Sequence, residues 1–208
     1  MLNSIKKYFP DLKEEQDFKL EQFAQLLKEW NEKINLISRK DVENIEINHI
    51  LHSLAIAKYI KFKEGSKIMD LGSGGGLPGI PLSIIFPDSE FILVDRIGKK
   101  INASTEIINQ LQLPNISAKK ADVAEIKDKF HFIVNRGVMP QPEILKLVKN
   151  KISKENFNAL PNGIISLKGG DLTQELKNIA ANGEVTEIKN YFNEPFFETK
   201  KIVYTAVI

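Results

Sequence analysis

A carboxylate followed by bare backbone is the feature of this chain best suited to chemistry. Residues 68–82 read IMDLGSGGGLPGIPL: an apolar run reaches Asp70, and positions 72–81 then hold five glycines and two prolines. Glycines at 72, 74, 75 and 76 let the main chain approach a ligand with no Cβ in the way. GGGLPG (74–79) carries the spacing GxGxxG, and Asp95 ends the next apolar run, close to the ~20-residue offset of a ribose-binding carboxylate. The pattern asks for a nucleotide cofactor. No GK[ST] follows the glycines, which argues against a phosphate-cradling P-loop. Asp70 stands two residues before Gly72, where it would repel a pyrophosphate. It suits a ligand with a cationic end, such as the amino group and sulfonium of S-adenosylmethionine (SAM). The electrostatics favour SAM over a nicotinamide dinucleotide.

Other polar residues extend this reading. Asp122 opens DVAEI after a third apolar run, where such folds meet an adenine; its alternative role is a helix N-cap. Val123 and Ala124 would then offer backbone and apolar contact to the ring. Arg136 is one of only three arginines. It ends the run FHFIVNR, at the strand terminus where open α/β sheets place their sites. It suits a cofactor carboxylate, a base edge or a phosphate; its alternative is a surface ion pair. Arg39, Lys40, Lys99, Lys100 and Lys168 together could form a phosphate track, although each alone reads as a solvated charge. His49 and His52 lack further ligands at metal spacing, so they read as packing or helix-surface histidines and no metal is expected. Trp30 and its phenylalanine neighbours read as core.

The elements that must position these residues are legible from periodicity. The chain has 208 residues and no cysteine, which removes disulfides and thiolate metal sites. Lys and Arg number 29 against 27 Asp and Glu, a balance that neither demands nor excludes nucleic acid. The chain has no apolar run long enough to span a bilayer and no signal-peptide h-region at its start, so a cytoplasmic protein is expected. Residues 13–37 carry Phe18, Phe23, Leu26, Leu27, Trp30 and Ile34 at three- and four-residue steps, which predicts an amphipathic helix. A polar break at 38–41, with Asp41 as an N-cap, precedes a second helix over 42 to about 61. From Lys67 onward, short apolar runs alternate with helical segments: KIMDL, FILVD, ISAKKAD, FHFIVNR and GIISLKG, the last followed by the helical DLTQELKNIAA (171–181). EVTEIKNYF (184–192) and KKIVYTAVI (200–208) close the chain as two strands joined by a turn, the last antiparallel to its neighbours. A dinucleotide dehydrogenase would repeat βαβ to its end. A seven-strand sheet closed by a β-hairpin is the architecture of SAM methyltransferases. The expected organisation is therefore a helical extension, 1–64, and an α/β domain, 65–208.

Several segments resemble the RsmG family (glucose-inhibited division protein B), bacterial 16S rRNA guanine-N7 methyltransferases. They are EWNEKINLISRKD (29–41), HILHSL (49–54), DLGSGGGLPGIPL (70–82), VDRIGKK (94–100), NRGV (135–138) and SLKGG (166–170). The LPGIPL tail and the WN…NL pair are the specific ones. Two departures stand out: His52 replaces the family's usual Asp, and NRGV replaces SRA while keeping the arginine. The resemblance implies a class I SAM-dependent methyltransferase, Rossmann-like, with SAM contacts at Gly72, Leu77, Val123, Ala124 and Arg136. Asp70, Gly74, Gly76, Asp95 and Asp122 join them on the arguments above. Arg39, Lys99, Lys100 and Lys168 are the expected RNA-binding residues.

The implied reaction is methylation of N7 of a guanine in 16S (small-subunit) rRNA, on naked RNA or a small-subunit particle, by a chain expected to be monomeric. N7 carries an in-plane lone pair, so no general base is expected and catalysis rests on alignment. Two alternatives remain open at this stage: a methyltransferase with a small-molecule or protein substrate, and a non-catalytic SAM- or nucleotide-binding protein associated with RNA. A nicotinamide-linked oxidoreductase is a third.

Overall fold

The computed structural model describes residues 2–176 and 183–207. Seven strands form one sheet: β1 (Lys67–Leu71), β2 (Glu90–Asp95), β3 (Ile116–Lys120), β4 (Phe132–Arg136), β5 (Gly163–Gly169), β6 (Gly183–Glu187) and β7 (Lys200–Ala206). Their order is β3-β2-β1-β4-β5-β7-β6. The first five pair in parallel, and β7 runs antiparallel to both β5 and β6. The chain leaves β1 toward β2 and β3, then returns to lay β4 on the other side of β1. That reversal opens a crevice at the carboxyl ends of β1 and β4, the place where open α/β sheets bind ligands.

The predicted strands and the closing antiparallel strand are present, several of them a residue or two shorter at an end and one cut by half. The strand expected over 184–192 stops at Glu187 and gives way to a 3₁₀ turn, Ile188–Asn190. Ile188 and Phe192 are fully buried. Phe192 stacks on Tyr8 at 4.8 Å and on Phe197 at 5.0 Å. An i, i+4 apolar pair seated under the N-terminal helix outweighs continued sheet pairing. The helix expected over 171–181 is seen as Thr173–Leu176, and its continuation from Lys177 lies outside the described residues.

The amino-terminal helices are α1 (Asn3–Tyr8), α2 (Glu14–Lys33) and α3 (His52–Tyr59). Acidic Glu14, Glu15 and Asp17 in the first turn of α2 and Lys33 in its last suit the helix dipole. Leu20, Phe23 and Leu27 of α2 have no exposed surface. Full burial of each such side chain contributes about 1.5–3 kcal/mol. Phe18, expected on the same stripe, is 59% exposed and belongs to the solvent face. The second predicted helix is three pieces: a 3₁₀ segment Arg39–Asn44, a π-helical turn Glu46–Leu51, and α3. Ser38, not Asp41, caps the first piece; Asp41 accepts instead from Asn48 Nδ2 at 2.8 Å. Leu20, Phe23, Leu27 and Leu54 share one continuous core with Ile68, Leu82, Phe132 and Ile165, so these helices cover one face of the sheet. A second cluster around Met69, Ile133, Ile144 and Ile164 fills the opposite face.

Candidate functional site

The glycine loop leaves β1 and enters α4 (Gly79–Ile85). Gly72 N–H donates to Val94 O at 2.8 Å, tying the loop to β2. Gly72 has φ +67°, and a Cβ there would lie 2.8 Å from Val138 Cγ2, so only glycine fits between the loop and the segment after β4. Gly74, at φ +54°, faces open space, where a Cβ would meet nothing within 4 Å. Its N–H donates to Asp95 Oδ2 at 3.0 Å, while Asp95 Oδ1 accepts from Ile97 N–H at 2.8 Å. The loop and the end of β2 are thus one hydrogen-bonded unit.

A cavity of about 560 Å³ lies at the carboxyl ends of β1, β2 and β4. Of the residues predicted for the cofactor, Gly72, Gly74, Leu77, Asp95, Val123 and Arg136 line it, and Lys100 of the predicted RNA set reaches its rim. Its size falls in the range of small-molecule and cofactor sites, about 300–1,000 Å³. Glycine backbone on one wall, a carboxylate at the end of β2 and a guanidinium at the end of β4 fit a ligand with a ribose and an anionic end.

Seven predicted residues do not line this cavity: Asp70, Gly76, Asp122, Ala124, Lys168, Lys99 and Arg39. Asp70 has no exposed surface; its Oδ2 accepts from Gly79 N–H at 2.7 Å, and its Oδ1 is buried without a hydrogen-bond partner. It braces the start of α4 from behind instead of meeting a ligand's cationic end. Burial pushes its carboxyl up to about 7, offset in part by the Gly79 N–H and the charge of Arg136. Gly76 supports the loop: at φ +84°, a Cβ would collide with Ile80 Cδ1 at 2.3 Å. Asp122 caps a 3₁₀ turn, Val123–Glu125, by accepting from Ala124 N–H at 2.9 Å, and pairs with Arg96 at 3.2 Å. That bond occupies the Ala124 N–H, and neither Asp122 nor Ala124 lines the cavity. Lys168 is buried, with Nζ 2.7 Å from Glu175 Oε1 and 2.6 Å from Met139 O. Its charge is taken inside the protein, so it does not belong to an exposed phosphate track. Lys99 and Arg39 are exposed, Arg39 on a separate shallow depression beside Leu36.

Some of the cavity's construction was not predicted. Leu36 lines the wall, held there because buried Asn31 Oδ1 accepts from Leu36 N–H at 2.8 Å and Ile37 N–H at 2.9 Å. The WN…NL segment is therefore a structural brace that folds the chain back over the glycine loop, where a Cβ on Gly75 would stand 3.1 Å from Leu27 and Leu36. Val138 and Met139 form the facing wall. Glu175 Oε1 accepts from both Lys168 and the N–H of Gln141, the first residue of α6 (Gln141–Val148). That clasp fixes the segment that carries Val138 and Met139. Arg136 Nη1 lies 2.9 Å from His49 Nδ1. Burial pulls the guanidinium down to about 10, opposed by Asp70 and Asp41, so it stays charged at neutral pH. Burial and the neighbouring Arg136 hold His49 down to about 4, and His52 well below the usual range for the same reasons. Both imidazoles are neutral and buried, as packing histidines are. Among the described residues no group of His, Cys, Asp and Glu could hold a metal ion, and no helix is long and apolar enough to cross a membrane.

Comparison with known proteins agrees with this architecture. A family model described as GidB, rRNA small subunit methyltransferase G, matches residues 16–203. The ribosomal RNA small subunit methyltransferase G of Bacteroides thetaiotaomicron is 49% identical over 203 residues, 98% of each chain. That of Flavobacterium johnsoniae is 45% identical over 206 residues, covering 98% of this chain and 97% of its own. Among solved structures, a precorrin-6y C5,15-methyltransferase from Geobacter metallireducens superposes with a TM-score of 0.56 at 14% identity, over 83% of this chain and 90% of that one. A variant of MtNAS in complex with SAM does so with a TM-score of 0.60 at 12% identity, over 100% of this chain and 84% of that one. At those identities the structures share the fold alone, that of class I SAM-dependent methyltransferases. Relatives near half identical along almost their whole length, and a family model that spans most of the sequence, give the conclusion that the chain belongs to the GidB family, rRNA small subunit methyltransferase G.

Proposed function

We propose that this chain methylates N7 of a guanine in 16S rRNA with SAM as methyl donor. The observation that supports this most directly is the cavity at the β1/β4 crossover, where a glycine backbone wall, Asp95 and Arg136 converge in a chain of the GidB family. SAM supplies an electrophilic methyl group on a sulfonium. Gly72 and Gly74 form the wall against which the cofactor lies. Asp95 accepts from the ribose hydroxyls: each carboxylate oxygen already takes one backbone N–H, and each has a second lone pair to give. Leu77 and Val123, with Ala124 behind, bound the apolar part of the site. Arg136 takes the carboxylate end. Residues 65–208 are the catalytic domain, and the extension, 1–64, closes the cleft through Leu36 and shapes its approach.

The target nitrogen needs no deprotonation, so the chain's task is to hold N7 in line with the methyl carbon and exclude water. The ionisable residues at the cavity, Asp95, Arg96, Lys100 and Arg136, act as fixed charges that accompany the shift of positive charge to the purine. Lys99 and Lys100 on α5 (Gly98–Gln110), with Arg39 and exposed Arg96, offer phosphate contacts beside the cleft. The protein works in the cytoplasm, as a monomer, on small-subunit RNA. The test is incubation with methyl-labelled SAM and small-subunit rRNA, free and in assembled particles, followed by mapping of the modified nucleotide. Label on a guanine N7 is expected; label confined to protein or small molecules sinks the assignment.

A further inference from the structure

Arg136 is unusual in its partner. Among the described residues no carboxylate pairs with it; Asp70 and Asp41 act only at longer range. Its hydrogen-bond partner is the imidazole of His49, which is 6% exposed and comes from the amino-terminal extension, 87 residues away in sequence. A guanidinium can only donate, so His49 Nδ1 accepts and the ring proton sits on Nε2. That Nε2 is buried with no partner. A buried orphan donor is costly, so packing alone is a poor reason for imidazole here. The residue lies in the π-helical turn Glu46–Leu51, a local irregularity of the kind common at functional sites.

A neutral acceptor does something a carboxylate would not. It fixes the orientation of the guanidinium without neutralising its charge. An Asp or Glu at the same place would hold Arg136 as firmly but compete with an anionic ligand group for it.

We propose that His49 is a positioning residue of the cleft: it aims Arg136 at the cavity as an uncompensated cation, so that the guanidinium binds a carboxylate on the ligand. The inference rests on reading the cavity as the SAM site. It makes the extension part of the cofactor site, as well as a cover over it.

The experiment measures binding of SAM, and of 5′-methylthioadenosine, which lacks the amino-acid end, to the full chain and to His49→Leu, His49→Asn and His49→Asp. Asn and Asp have the same shape, each can present an acceptor near the place of Nδ1, and they differ in charge. SAM should bind His49→Leu and His49→Asp at least about tenfold more weakly than wild type, the size of one charge-assisted hydrogen bond. His49→Asn should recover to within roughly threefold of wild type, by the same reckoning. Methylthioadenosine should bind all four proteins alike, which also certifies that each is folded. Equal SAM affinity across the variants, or equal losses in Asn and Asp, overturns the proposal. A wild-type chain that binds methylthioadenosine and SAM equally well overturns the carboxylate contact. If the wild type binds neither, the reading of the cavity itself fails, and the inference falls with it.

Discussion

The two walls of the cleft are built by different means. The glycine wall, residues 72–79, is built mainly from backbone: its hydrogen bonds run within the loop and into α4, to Asp70 of its own strand, to Val94 and Asp95 at the adjacent strand end, and to Ser104 Oγ, which donates to Gly74 O at 3.2 Å. The facing wall, residues 136–141, is assembled by side chains from far apart. His49 meets Arg136, Lys168 reaches Met139 O, Glu175 holds the Gln141 N–H, and Ser166 Oγ donates to Gln141 Oε1. At Gly72, Gly76 and Gly79 the backbone wall has no room for a Cβ, whereas the side-chain wall fails when a partner is withdrawn. The two meet at Gly72 and Val138, where the space for even one methyl group is missing.

The largest effect is expected on the glycine wall. Gly74→Asp places a carboxylate in the open space at that position, beside Asp95. Aspartate tolerates a positive φ better than most residues, so the fold should survive. SAM binding and methyl transfer should fall by at least ~100-fold, a loss of the order seen when a preorganised contact in an active site is removed. Isothermal titration and circular dichroism on the same sample check it. Undiminished activity would sink the loop assignment.

On the facing wall the effect is on stability first. Lys168→Met strips a buried ion pair of its cation and should cost about 3 kcal/mol in urea unfolding. Adding Glu175→Leu should return much of that loss, because the uncompensated charge goes with it. If Lys168 touched RNA phosphate, the slope of log affinity against log salt would drop by about 1 in the single variant. Its burial predicts no change in slope.

Asp70 sharpens the comparison from behind the glycine wall. Its carboxyl is raised to about 7 in the folded chain, above its unfolded value near 3.8. The folded state then holds a proton that the unfolded state releases, so this contribution is present below about pH 4 and lost as pH rises through about 7. Asp70→Asn should therefore gain on wild type as pH rises, by roughly 4 kcal/mol between pH 4 and pH 8. Thermal unfolding midpoints across that range read it, and a parallel pair of curves would reject it. His49 acts with the opposite sign: held to about 4, it costs stability as pH falls below about 6.5.

The smallest effect belongs to neither wall. Lys99→Ala, on the exposed rim, should leave stability and SAM affinity unchanged and lower the salt slope of RNA binding by about 1. An unchanged slope would remove Lys99 from the RNA surface.

The difference between the walls also separates what could be read from what could not. Gly72, Gly74 and Asp95 were legible as residues of the cavity because of their spacing, a tight turn between a strand and a helix followed one strand later by an acid, whereas Leu77 came from the family resemblance alone. Asp70 was legible as special but not in its orientation. β1 is buried, and a carboxylate at its end points either into the crevice or under the loop. The Gly79 N–H, left over at the start of α4, drew it under. Lys168 read as an ordinary lysine because nothing nearby in sequence announces Glu175 as its partner. His49 read as a packing histidine because nothing near it in sequence announces its contact to Arg136.

The sequence by itself determined the alternation of strands and helices, the antiparallel closing strand, the glycine loop and the family to which they belong. All of these follow from periodicity, from residues that only a turn can use, and from motif spacing within a short span. The tertiary structure decided which charges face the cleft. Asp70, Asp122 and Lys168 turned inward or aside to satisfy backbone and buried partners, while Arg136 was left with a neutral one. A charged side chain goes where its desolvation is best compensated, and the groups that compensate it are brought close only when the sheet is closed and the amino-terminal helices are laid across it.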